Sequence, residues 1–129
     1  MISDLHAPYL HQDTVKFLKA LKKQYKFDRV VCIGDEIDGA AWSYHETNPD
    51  LPNAGEELKR AIKTLQPIYE LFPKVDVLES NHGSLVYRKA MTAGLPAAMV
   101  KSYRDQIQAP KGWNWFEGLK LDTPLGPVF

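Results

Sequence analysis

Apolar positions along this chain change their spacing repeatedly, and each change marks an element. Val15, Leu18, Leu21 and Tyr25 recur at helical intervals with lysines on the opposite side. With Asp13 or Thr14 as cap, they predict a helix ending at about Tyr25 or Lys26. Arg29-Val30-Val31-Cys32-Ile33 is a short β-branched run that stops at Gly34, where the backbone can turn sharply. Residues from Gly39 to Pro52 are mixed and end in the loop Asn48-Pro49-Asp50-Leu51-Pro52. Leu58, Ile62, Leu65 and Tyr69 then define one face of a long helix from Asn53 to Phe72, which Pro67 bends or splits. Val75 to Glu79 reads as the next strand. Two helical segments follow, Ser84 to Ala93 and Pro96 to Gln108, parted at Gly94, with Pro96 suited to a first turn. Trp113 to Leu121 alternates loosely like a strand, and Val128-Phe129 reads as the opening of another. Met1-Ile2-Ser3 reads as the end of a strand.

Strand and helix in alternation predict an α/β sheet with helices on its faces, as one domain over residues 1–129. Both ends read as cut: a strand needs about five residues, and Asp4 follows too few. Sixteen basic and sixteen acidic side chains cancel, so no global field draws the chain to nucleic acid or membrane. No apolar stretch has the length of a membrane span, and no secretory signal precedes Asp4. The single cysteine, Cys32, lies in an apolar run and reads as a buried thiol in a reducing, cytoplasmic setting.

Candidate chemistry changes this picture. Asp4-Leu5-His6, Gly34-Asp35-Glu36-Ile37-Asp38 and Ser80-Asn81-His82 each follow a strand-like stretch. Parallel strands present their C-terminal ends along one edge, so carboxylate, imidazole and amide groups gather there. Hard oxygen mixed with borderline nitrogen suits two divalent ions of the manganese, iron or zinc kind. Asp35 has two oxygens with which to bridge them; Asp4 and His6 suit one ion and the Asn81 amide oxygen the other. Such a pair activates water and neutralises phosphate charge. His82 is placed to protonate a leaving alkoxide, and Asp38 to orient His82.

Together the clusters resemble the calcineurin-like metallophosphoesterase superfamily, whose pattern is D-x-H, then G-D-x-x-D, then G-N-H-[DE], then two later histidine motifs. The third appears here as Ser80-Asn81-His82-Gly83. The resemblance implies a metallophosphoesterase-like mixed β-sheet sandwich flanked by helices. It implies Asp4, His6, Asp35 and Asn81 as ligands of two divalent ions, manganese first, with iron, zinc, nickel or magnesium as alternatives. It implies His82 as the catalytic residue. The Tyr-His-Glu segment, the Asn-Pro-Asp-Leu loop and Tyr87-Arg88-Lys89-Ala90 are similar to phage-borne members, which implies a host cytoplasm. Departures narrow the substrate. Gly39 stands where protein phosphatases carry arginine, and Gly83 stands in place of the acidic residue, so phosphodiester or nucleotide substrates are favoured over phosphoproteins. No histidine follows His82, so the later motifs have no counterpart. A fragment of an enzyme, a complementing C-terminal segment, or a site with one ion or none all accommodate that.

The remaining candidates are weaker. His45, in the run Trp42-Ser43-Tyr44-His45, suits stacking on a base or ribose, or plugging the loop over the sheet edge. Arg88 and Lys89 suit a phosphate, or form a solvated helix face. His11 reads as a turn or cap residue, with a ligand role as the alternative, and Trp113, Trp115 and Phe116 as a sealed core edge or a base-stacking surface. The expectation is a metal-dependent phosphoesterase acting on nucleotide or nucleic-acid esters, with His45 and Arg88 on the substrate. The competing expectation is a module that binds metal or a partner without turnover.

Overall fold

A computed structural model describes residues 1–46 and 48–128. Its helices are α1 (Thr14–Gln24), α2 (Ala54–Leu71), α3 (Leu85–Thr92) and α4 (Tyr103–Gln106), and its strands are β1 (Val31–Cys32), β2 (Val75–Leu78), β3 (Trp113–Phe116), β4 (Leu121–Thr123) and β5 (Gly126–Val128). β1, β2 and β3 form a parallel sheet in that order, with Val31 opposite Asp76 and Val75 opposite Trp113. Ile2 adds a parallel bridge to Cys32 on the outer side of β1. The N-terminal segment, β1 and β2 therefore all end along one edge.

Burial explains these elements. β1 is short because the chain turns at Gly34 (φ +97°) and Asp35 (φ +56°) immediately after it. Its two residues are buried between neighbours on both sides. α2 sets Ala61, Leu65 and Ile68 against the sheet at helical spacing, and Leu18 of α1 joins the same core with Val77, Ile107 and Trp113. Each such aliphatic side chain contributes about 1.5–3 kcal/mol by leaving water. The two large aromatics bury their rings and satisfy their polar tips. The Tyr69 hydroxyl donates to the Ile107 carbonyl at 3.2 Å and the Trp113 indole to the Phe72 carbonyl at 2.8 Å.

The α/β class stands, with adjustments. The mixed sheet expected from sequence resolves, among the described residues, into a wholly parallel sheet and a separate antiparallel hairpin of β4 and β5. Val128 thus ends the hairpin's second strand instead of opening a new one, and Phe129 lies outside the described residues. Pro67 does not split α2. Its missing N–H leaves one ladder bond unmade, which the buried contacts of Leu65, Ile68 and Tyr69 offset. The helix expected from Pro96 to Gln108 breaks into a 3-10 turn, Ala97–Met99, and the single turn of α4. Ser102 causes the restart: its hydroxyl accepts the Asp105 N–H at 3.2 Å, a cap that holds Ser102 extended. Among the described residues no helix is long and apolar enough to cross a membrane.

Candidate metal centre

Leu5 and Ala7 are buried in the core while Asp4 and His6 alternate with them and face outward. The segment is zipped to the second motif: the His6 and Ala7 N–H groups donate to the Asp35 and Glu36 carbonyls at 2.9 and 3.0 Å, and Asp38 N–H donates to the Ala7 carbonyl at 3.0 Å. His6 (φ +42°) and Asp35 (φ +56°), joined by this pairing, lie in the left-handed region, as does Asp4 (φ +51°). Among the described non-glycine residues only Gln108 shares it. Side chains rarely adopt that conformation, which costs about 1–3 kcal/mol and concentrates at functional sites. Three candidate ligands carry it.

His6, Asp35 and His82 each offer a donor atom within 4.8 Å of the others. The two imidazoles meet edge to face with centroids 4.9 Å apart. Asp38 orders both rings, by different atoms. Its carboxylate holds His6 Nδ1 at 2.9 Å, and its backbone carbonyl takes His82 Nδ1 in a close contact. The carboxylate was expected to orient His82; it orients His6, because the third-motif loop brings His82 to the main chain instead. A carbonyl only accepts, so His82 Nδ1 carries hydrogen, and both neutral rings are left with the Nε2 lone pair for a metal. His6 Nε2 lies 3.7 Å from Asp4 Oδ1.

Asp35 Oδ1 is buried and has no hydrogen-bond partner among the described residues. An orphaned buried acceptor costs about 1–3 kcal/mol, more when charged, and a cation bound at Asp35 would remove that cost. The residues therefore fit a divalent ion: His6, Asp35 and His82 would hold it, with Asp4 adjoining. Asp4 itself is largely exposed and bonded to the Ser3 hydroxyl. Asn81, beside His82, lines a cavity of about 210 Å³ together with Asp38, His82, His45, Tyr44 and Arg88. Arg88 reaches the Asn81 carbonyl at 2.9 Å, and the Arg88 and Lys89 cations lie 5.8 and 4.8 Å from the Tyr44 ring centre. His45 is exposed at the rim. His11 stands apart, exposed beside α1 and accepting the Asp13 N–H at 3.2 Å.

Sequence reasoning passed over three supporting side chains. Ser80, which replaces the glycine of the resembled pattern, accepts from Asp35 N–H at 3.2 Å and Gly83 N–H at 3.1 Å, clamping the second motif to the third. A Cβ on Gly34 would stand 2.6 Å from Ser80 Cβ, so glycine there permits the clamp. Glu57, fully buried on α2, accepts from Ala40 and Ala41 N–H at 2.9 and 2.8 Å, fixing the turn after Asp38. Glu36, fully buried beside Asp35, accepts from the Tyr103 hydroxyl and the Trp115 indole, each at 3.1 Å. Burial pushes its carboxyl above the usual range, and burial followed by the nearby Glu36 charge pushes Tyr103 well above its own. The one sequence signal for Glu36 and Glu57 is a carboxylate next to a motif or on a helix face that is otherwise apolar. No family model, no curated protein and no solved structure gives a significant match to this chain.

Proposed function

We propose that the chain is a metal-dependent phosphoesterase acting on phosphate mono- or diesters of the nucleotide or nucleic-acid type. One observation carries the reading: His6, Asp35 and His82 bring a donor atom each within 4.8 Å, both imidazoles have Nδ1 committed, and Asp35 Oδ1 is buried without a hydrogen-bond partner among the described residues. The three motifs, in order and each at a strand end, supply the reaction class by their resemblance to metallophosphoesterases. Bound divalent ions would supply charge neutralisation at phosphate oxygens and an activated water.

The chain's own residues do the rest. Asp35 and His6 fix the pocket, and Asp38 holds the His6 ring in one tautomer. His82, steered through Nδ1 by the Asp38 carbonyl, keeps Nε2 for a ligand role or, when protonated, for handing its proton to the departing alkoxide. Arg88, braced on the Asn81 carbonyl and on Tyr44, meets a non-reacting phosphate oxygen, with His45 at the rim. A second reading, a module that binds metal or a partner without turnover, draws on the exposure of Asp4.

Hydrolysis of bis-p-nitrophenyl phosphate with manganese separates them. Asp35→Asn is expected to lower the rate at least tenfold, as loss of a metal-site group does. Equal rates in the two chains remove the catalytic assignment. If neither chain turns over but wild type retains manganese through dialysis and Asp35→Asn does not, the module is the answer.

A further inference from the structure

The third-motif loop separates two cavities. Asn81 and His82 line the one at the metal centre; Ser80 and Gly83 line a second, of about 490 Å³. α3 divides the same way, with Arg88 on the first and Tyr87 on the second. The second cavity is walled by Tyr103 and Trp115, whose rings meet edge to face at 5.6 Å and are locked by their shared acceptor, Glu36. Tyr87, about half exposed, supplies a further aromatic surface. Two ionic groups stand among the lining. Glu79 is exposed and makes no side-chain hydrogen bond or ion pair among the described residues. Arg104 spends Nε and Nη2 on the Trp113 carbonyl at 3.2 and 2.6 Å and Nη2 also on Asn114 Oδ1 at 3.2 Å, which leaves Nη1 unbonded among the described residues.

We propose that this second cavity is a purine subsite, best matched to guanine, for the base of the phosphoester that the adjoining centre hydrolyses. Only the word phosphoester rests on the hydrolytic reading; base binding does not. The size lies within the range of about 300–1,000 Å³ that small-molecule sites occupy. The two rigid walls stand at 83° to each other, so a flat heterocycle stacks on one ring and meets the other edge-on. A guanine edge offers adjacent N–H donors to a carboxylate such as Glu79, and its O6 acceptor suits the unbonded Nη1 of Arg104. Adenine lacks the O6 acceptor and places its amino group differently, so it meets the pair less well. The third motif lines both cavities, so the base site adjoins the phosphate site.

Guanosine carries no phosphate, so titrating it into the full chain without metal tests the subsite alone. A saturable quench of tryptophan fluorescence is expected, weakened about tenfold by Tyr87→Ala, as loss of one stacking surface does. Glu79→Gln is expected to erase the preference for guanosine over adenosine. Both positions are exposed, so the variants fold. Asp35→Asn should leave the titration unchanged while losing manganese, so a failed hydrolase assignment does not disturb the result. No saturable quench, or one indifferent to Tyr87→Ala, overturns the proposal. So does a quench abolished by Tyr44→Ala, which would place the base in the first cavity. Equal binding of adenosine by wild type overturns the guanine assignment.

Discussion

Cys32 shows what one residue takes from its setting. Its side chain is fully buried three positions before Asp35, and its thiol lies 3.6 Å from the Gly34 carbonyl. Burial, followed by the negative field of Glu36, pushes the thiol up to about 12. An unfolded cysteine ionises near 8.5, so the folded value is the raised one. The stability this thiol contributes is complete below the unfolded value and lost as pH rises toward the folded one. At pH 8 the native chain is expected to resist iodoacetamide at least about 100-fold better than the urea-unfolded chain, since only thiolate reacts. Mass spectrometry of the alkylated protein checks this, and equal rates would place the sulfur in solvent. That Cys32 is buried was legible in its apolar run. The left-handed backbone at Asp4, His6 and Asp35 was not, because it comes from pairing between segments about thirty residues apart and not from local propensity. Gly34 was read as a turn; that it makes room for Ser80 depends on β2, which local sequence does not report.

Elements were legible where one side faces water and the other the core, and for α2 this holds in part. Of the expected face Leu58, Ile62, Leu65 and Tyr69, the last two are buried and the first two half-buried; Glu57, Ala61 and Ile68 complete the buried set. A carboxylate and an alanine join that set because small Ala61 lets the helix approach and Glu57 bonds the turn Ala40–Trp42. Hydrophobicity alone cannot rank a paired carboxylate as core. The pairing makes α2 a support for Asp38, two residues before that turn. Glu57→Ala strands two N–H groups and is expected to cost about 2–6 kcal/mol, given about 1–3 for each orphaned donor. Glu57→Gln keeps one acceptor and should recover part of it. Urea unfolding of the three chains measures both, and an unchanged midpoint in Glu57→Ala would show that water serves those donors equally well.

For the whole molecule, the question is what holds the N-terminal segment to the sheet. The α/β layout was legible from alternating periods, and the gathering of motifs at one edge follows from parallel strands. Which donors meet most closely was not, since His82 joins His6 only through the course of the third-motif loop. The first residues are tied to the sheet by bridges at Ile2 and Ala7 instead of a full strand ladder. An ion on His6, Asp35 and His82 would cross-link that segment to the ends of β1 and β2, and anything that binds only the folded state stabilises it by mass action. Manganese at 100 times its dissociation constant therefore adds about 2.7 kcal/mol. Each kcal/mol raises the Tm of a domain this size by about 2–8 °C, so a shift well outside error is expected. His6→Ala and Asp35→Asn should abolish it, while Arg88→Ala, which removes no donor, should retain it. Calorimetry with and without manganese reads the shift. Hydrogen exchange should place the added protection on residues 2–7 and on the loops after β1 and β2, because those are the segments the ion would join. A shift of equal size in wild type and Asp35→Asn would mean that the metal binds elsewhere, and the strand-end cluster would then have to be explained as structure alone.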